Sequence, residues 1–472
     1  MDVSATVRVA VIGGGITGLA AAHRLVGLLG GDEVLLLEAD DRLGGKITTE
    51  RTRGYVIEGG PDCFLAVKPA GMELCRRLGM EGRIRGTNPR LRRSFVKRAG
   101  RLHELPDGLT GLVPSRIRPL LMTGILSPLG RVRAACEPLV PRRRLAADEA
   151  IAAFVTRRFG QEAYDWLVEP LLSGIFAGDG EALSLGATFP QLAETERLHG
   201  SVLLPMLRAR FRRGANGAPP PMGFVTPETG LAELVEALER ELPSHQVWRG
   251  ARVGDIRRLR HGWRLSLEDG RAVDALAVIC TAPAFAAADL LTPLDPVLGQ
   301  ALAAIPFVST VTVSVAFPRS AVPAPLAGSG YVSPRLEGGS VVACTWTSNK
   351  FPARVPADGV LLRFFLGRAG REEPALASDH EIRGLVRREL EAVHGITAEP
   401  SLWRVFRWPR GLAQYTVGHL DRLDLIERRL AGLPGLLLAG ASYRGVGIPD
   451  CIKSGWTAAD AAGAHVESLV AV

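Results

Sequence analysis

Four clusters of glycine stand where backbone could close on a phosphorylated ligand. They are Gly13-Gly14-Gly15-Ile16-Thr17-Gly18, Gly44-Gly45-Lys46, Gly59-Gly60-Pro61-Asp62 and the closing run Gly440 to Gly455, GASYRGVGIPDCIKSG. In the first, G-x-G-x-x-G spacing gives Gly13 the tight turn, Gly15 the close approach of backbone N–H groups to a pyrophosphate, and Gly18 the packing of helix on strand. A helix opening there adds the positive end of its dipole. Glu38, followed by Ala39, stands where a carboxylate accepts hydrogen bonds from a ribose 2′-OH, which favours an unphosphorylated adenosine ribose.

The residues after Glu38 separate FAD from NAD. Arg42 and the Gly44-Gly45-Lys46 turn follow the ribose-binding acid directly, and Gly60-Pro61-Asp62 comes next. Three glycine turns in one short block bring backbone close to a long, extended ligand, as a pyrophosphate joined to a ribityl-flavin requires. Gly440, Val446, Gly447 and Ile448 form a second glycine junction near the end of the chain. There Gly445 and Gly447 let backbone reach a flavin ring, and a helix starting near Asp450 aims its positive end at the ring's pyrimidine edge. Cys451, inside that turn, reads as a small buried apolar residue.

These clusters need elements to hold them. VRVAVI (Val7 to Ile12) and EVLLL (Glu33 to Leu37) read as strands around the helix LAAAHRLVGLL, which makes one βαβ unit. Helical stretches rich in Pro and Arg occupy Arg85 to Arg213, and ARFRRGANGAPPPMG reads as an exposed loop. The helix GLAELVEALERELP leads into hairpin-rich strands that return to the first sheet. Alternating strands recur from Val308 to Phe317 and from Tyr331 to Leu366, a separate antiparallel sheet. The spacing predicts an α/β fold with a Rossmann-like FAD-binding domain in three segments, 1–86, 216–307 and 413–472. A helical domain, 87–215, and an antiparallel substrate sheet, 308–412, are inserted between them.

The 472 residues are 47% hydrophobic and carry a net charge of +8, which suits more than one core and an anionic partner. No nucleic-acid motif accompanies the charge. Six cysteines without C-x-x-C spacing and nine histidines without metal spacing exclude a disulfide framework and a metal centre. No signal peptide or membrane-spanning run is evident, so the expected location is cytoplasmic. Arg116, Arg118, Arg131, Arg133 and Arg142 to Arg144 sit amid leucines. They read first as a solvated helix face, while peripheral contact with the inner face of a membrane stays open.

Taken together, these stretches resemble the flavin-containing porphyrinogen oxidases of haem biosynthesis, relatives of the amine oxidases. The motifs that carry the resemblance are Ser173-Gly-Ile-Phe-Ala-Gly-Asp179, Thr188-Phe-Pro190, Phe406-Arg-Trp-Pro409, Gln414-Tyr-Thr-Val-Gly-His419 and GVGIPDCI. SFVKRAGRLHELP, ACTWTSNKFP and GASYRGVGIPDCI look most like the Gram-positive-type branch that acts on coproporphyrinogen III; close relatives act on protoporphyrinogen IX. The resemblance implies a non-covalent FAD, with Val253 holding the adenine end through its backbone. Lys46, Gly60-Pro61-Asp62, Trp408 and Val446-Gly447-Ile448 would lie near the flavin.

It further implies oxidation of the porphyrinogen by hydride transfer to FAD and reoxidation by O2 to H2O2, with no dedicated acid–base pair. Arg93 would meet a substrate propionate, though Arg92 could exchange roles with it. The Gly174 carbonyl would bind pyrrole N–H groups, and Val332, Trp346 and Phe365 would line the macrocycle slot. Docking of a downstream haem-pathway enzyme stays open. Two other readings use the same scaffold: an amine oxidase or desaturase, and a carrier that has lost its flavin.

Overall fold

Ala5–Ile12 is buried along most of its length because it lies at the centre of a seven-stranded sheet covered on both faces. In this computed structural model, which describes residues 4–106, 109–110, 113–114, 117–143, 148–205 and 223–470, it pairs parallel with Val34–Leu37 on one side and Ala272–Cys280 on the other. Val247–Trp248 extends the sheet beyond Val34–Leu37, and the hairpin Val253–Arg258 and Trp263–Leu267 extends it beyond Ala272–Cys280. That hairpin covers only the first half of Ala272–Cys280. Leu436–Leu438 pairs parallel with its second half, from Val278 to Cys280. Pieces from the start, middle and end of the chain share one sheet.

Helix Ile16–Leu29 packs against the closing helix Ile448–Val470 on one face of this sheet. The contact is made with small buried residues, Ala20, Ala21 and Ala22 on one side and Ala458, Ala459 and Ala462 on the other, which let two axes approach closely. Helices Ala284–Leu291, Pro296–Ala303 and His419–Leu430 cover the other face. Val9 and Val11 point to the first layer and Ala10 and Ile12 to the second, the period of two that a doubly covered strand shows.

A second seven-stranded sheet runs in the order Leu402–Ala413, Phe307–Pro318, Gly359–Leu366, Val341–Trp346, Gly330–Val332, Ser94–Arg98, Arg101–Glu104. It differs from the expected sheet in two ways. The hairpin 94–104, read with the helical segment, joins it, and Gly330–Val332 pairs parallel with Ser94–Arg98. Val311, Val313, Leu362 and Phe364 pack onto helix Asp379–His394 through Ile382, Val386 and Leu390. That helix is fixed at its start by a reciprocal capping box between Ser378 and Glu381 and at its end by left-handed Gly395. The opposite face of the sheet carries Thr312, Arg363 and Phe365 and turns toward the first domain.

Between the sheets the chain forms short helices, including Pro128–Ala135, Ile151–Phe159 and Glu169–Phe176, around Phe154, Phe159, Leu167 and Leu172. The Arg158 guanidinium, fully buried, is matched by Glu137 and by Glu196 at 3.2 Å. Arg131 and Arg133 are half-buried and donate to the backbone carbonyls of Leu126 and Arg158, while Arg142 is exposed, its guanidinium 3.5 Å from the Arg197 carbonyl. Arg116, Arg144 and most of the stretch 209–223 lie outside the described residues, as does the side chain of Arg118. Among the described residues no helix is long and apolar enough to cross a membrane.

Candidate cofactor and substrate site

Helix Ile16–Leu29 begins on Gly15 without a side-chain cap and without an acidic residue in its first turn, yet Ile16, Thr17 and Gly18 are buried. A buried helix start with orphan N–H groups calls for a ligand to accept from them. Gly15 itself has ordinary backbone angles, and a Cβ added there would meet no protein atom within 4 Å. Neither strain nor protein packing explains this glycine; the space in front of it does, as a phosphate cradle would.

The glycine turns are stacked in order. Gly44 N–H donates to the Gly14 carbonyl at 2.8 Å, and Gly45 lies against Gly15. Lys46 follows, and its carbonyl oxygen would lie 1.9 Å from a Cβ on Gly60. Only glycine lets the third turn come this near the second. At the far end Gly440, whose N–H donates to Ser454, sits beside Thr17, and Gly447 and Ile448 open the closing helix. Val446 precedes them, its carbonyl facing the Cys451 thiol. The turns follow one another from one helix start to the other, the order in which an extended dinucleotide would meet them.

At the adenosine end, the Glu38 carboxylate accepts from the Gly14 N–H at 2.5 Å and the Asp40 N–H at 2.8 Å. A carboxylate has further lone pairs for ribose hydroxyls. The backbone of Glu38 bonds Trp248 and Ala251, and Val253 follows two residues on, at the start of strand Val253–Arg258. Arg42 is exposed and braces its own loop by donating to the Gly45 carbonyl at 2.7 Å. Burial lowers the Lys46 ammonium below its ordinary pKa, with the neighbouring Cys451 opposing.

The second sheet grips the third glycine turn. The Gly59 carbonyl accepts from Thr312 Oγ1 at 2.6 Å, Trp408 Nε1 at 2.9 Å and Arg363 Nη2 at 3.3 Å. Pro61 is half-buried beside it. The Asp62 side chain is spent on the protein: it accepts from Lys350 Nζ at 2.8 Å and from the Cys63 thiol at 2.9 Å. Burial alone would raise the Asp62 carboxyl, but Lys350 and Arg363 hold it well below the usual carboxylate range. Burial and Asp62 push the Cys63 thiol up to about 12, so it is no nucleophile. Asp62, expected at the flavin, has its side chain engaged by Lys350 and Cys63.

From that grip a row of side chains crosses the sheet. Phe406, Thr312, Phe365, Ala343 and Val332 are successive cross-strand partners. Gly174 faces the far end of the row, a Cβ on it falling 3.1 Å from Val332. Ile175 beside it is 56% exposed, an apolar side chain turned outward from a largely buried helix. Gly174, Val332 and Phe365 thus lie along one face of the second sheet with the Gly59-Gly60 turn, the face on which the resemblance puts the macrocycle slot. Trp346 does not. It is buried on the opposite face, 5.6 Å from Phe95, and donates through Nε1 to His394 at 3.0 Å. Arg93 lies exposed just before the strand Ser94–Arg98, 3.5 Å from Glu104. Lys350, Thr312 and Arg363 were not singled out from the sequence, which marks them only as ordinary polar residues of strands and a short helix.

The sequence profile of the family described as flavin containing amine oxidoreductase matches residues 16–462. A coproporphyrinogen III oxidase of Bacillus subtilis (strain 168) is 38% identical, over 95% of this chain and 96% of its own length. One from Propionibacterium freudenreichii subsp. freudenreichii is 33% identical, over 95% of this chain and 89% of its own. A crystal structure from Exiguobacterium sp. 255-15, assigned provisionally as a protoporphyrinogen oxidase, superposes with a TM-score of 0.85 at 33% identity, covering 98% of this chain and all of that one. With glycine turns stacked for FAD and a slotted second sheet beside them, the chain belongs to the flavin-containing amine oxidoreductase family, among its porphyrinogen-oxidising relatives.

Proposed function

We propose that this protein oxidises coproporphyrinogen III to coproporphyrin III, with O2 as the final acceptor and H2O2 as its product. The observation that carries the reading is that one sheet face holds both the flavin-side turn, through Thr312, Trp408 and Arg363, and the slot row ending at Gly174. FAD, when bound, supplies a hydride acceptor for a methylene bridge, and an oxidised cofactor is regenerated by O2. The chain supplies orientation. Phe365, Val332 and Ile175 offer an apolar bed for the macrocycle, and the helix carrying Gly174 presents backbone to its pyrrole edge. Arg93, exposed at the sheet edge and held only by a weak pair with Glu104, is free to take a propionate instead. Cys63, Lys350 and Asp62 are locked to one another, and hydride abstraction requires no acid–base pair of them.

Anaerobic mixing with coproporphyrinogen III should bleach the bound flavin, and air should then release fluorescent porphyrin. If coproporphyrinogen III and protoporphyrinogen IX both leave the flavin oxidised, while an amine or a polyene reduces it, the reading is lost. If only protoporphyrinogen IX bleaches it, the substrate is wrong and the reaction stands. Arg93→Ala should raise KM for the porphyrinogen on the order of tenfold and leave FAD content intact; a flavin-free variant would misplace the arginine.

We also propose peripheral contact with a membrane through the helical segment. Met122, Leu129 and Leu139 are 70%, 83% and 82% exposed on successive short elements, the middle one of which carries Arg131 and Arg133. Apolar side chains ringed by guanidinium groups suit an anionic lipid surface.

A further inference from the structure

Five charged side chains meet where the cofactor domain touches the second sheet. Two of the carboxylates are matched one to one: Asp62 by Lys350 at 2.8 Å and Glu58 by Arg354 at 2.9 Å. Arg363 is the fifth. It is 3% exposed, and among the described residues no carboxylate lies within 4.0 Å of its guanidinium. Its Nη2 donates instead to the carbonyls of Gly60 and Gly59, and its Nε has no partner. The Cζ atom lies 4.8 Å from the centroid of the Phe365 ring, so the same cation also rests on the floor of the slot.

Asp62 and Glu58 lie near enough to feel its charge, but each is already paired with another cation, so the five groups carry one positive charge in excess. A buried excess cation is costly unless a further anion arrives to balance it. Thr312 and Trp408 already hold the Gly59 carbonyl, so the turn does not need a charge to stay in place. What Arg363 adds is a positive charge, buried between the flavin-side turn and the ring on which the macrocycle rests.

We propose that Arg363 is a positioning residue whose unbalanced charge stabilises the negative charge that the cofactor gains on reduction, while its stacking on Phe365 fixes the slot against the cofactor turn. The inference rests on the flavin reading above. It concerns the cofactor's redox balance and not the identity of the substrate.

The test is the midpoint potential of the bound flavin in the purified holoenzyme, titrated against a dye with no porphyrinogen present. Arg363→Met should move the potential to more negative values. Arg363→Lys should keep it near wild type, because the charge remains. Thr312→Val, which removes another donor from the same carbonyl without removing charge, should also leave it near wild type. With coproporphyrinogen III as reductant, Arg363→Met should slow flavin reduction at saturation by at least about tenfold, with a smaller change in KM. A folded, FAD-replete Arg363→Met protein at the wild-type potential overturns the proposal, as does an equal shift in Thr312→Val. If Arg363→Met does not retain flavin, Arg363→Gln compared with Arg363→Lys decides on the same criterion. Because the potential is read without porphyrinogen, its outcome is separate from failure of the substrate assignment.

Discussion

Gly60 shows how little freedom the cofactor track has at the level of one residue. A methyl group there would meet the Lys46 carbonyl at 1.9 Å, and the atom in the way is backbone. Forcing such a contact apart costs about 1–3 kcal/mol, felt where the second and third turns must align. Gly60→Ala should therefore weaken FAD retention on the order of tenfold or more, read as flavin content after purification and as the Kd on reconstitution. Unchanged flavin binding would mean the third turn does not face the cofactor. The glycine clusters were legible because their meaning is local: each turn needs glycine at a fixed offset from its neighbours in sequence. The pairing of Asp62 with Lys350 was not, because 288 positions separate them and neither residue type announces a partner.

Strands and helices show a second limit. Side chains alternate faces along a strand, but the pairing of Val341–Trp346 with Gly359–Leu366 slips between Val341 and Ala343. The slip puts Cys344 and Trp346 on the same side as Val341, toward helix Asp379–His394, and leaves Ala343 on the slot side with Phe365. A bulge has no composition of its own, so Trp346 could not be assigned a face from the sequence. Its partner His394, on the covering helix, accepts from the indole and is held neutral. Burial, helped by Lys97, depresses its pKa to about 4 from an ordinary 6.5. The unfolded chain takes up that proton as pH falls below 6.5 and the folded chain resists until about 4. The stability this site confers is thus complete at neutral pH and declines across that interval, by at most about 3 kcal/mol. His394→Gln should show a shallower loss of urea midpoint between neutral and acid pH than wild type. Parallel curves would show that His394 titrates normally.

At the scale of the molecule, the basic balance and the exposed leucines act together. The helical segment presents them away from the core, while its own arginines at Arg131 and Arg133 are tied to backbone carbonyls. Each leucine withdrawn from water on lipid contributes about 1.5–3 kcal/mol. Leu129→Glu with Leu139→Glu should lower sedimentation with phosphatidylglycerol vesicles at least about tenfold and leave flavin content unchanged. Equal sedimentation of variant and wild type would put the contact elsewhere or nowhere.

The strand Leu436–Leu438 has a bearing on how the protein comes to hold its cofactor during synthesis. It docks beside Ala272–Cys280 and carries the closing helix to the start of Ile16–Leu29. Until that segment leaves the ribosome, the nascent chain has the first three glycine turns and the sheet that grips the third, but not the closing helix start. At about 5–20 residues per second, the early βαβ unit waits many seconds for the final segment. Flavin capture should therefore come late in biogenesis, and a ribosome stalled shortly before Leu436 should carry a chain that is largely folded and colourless.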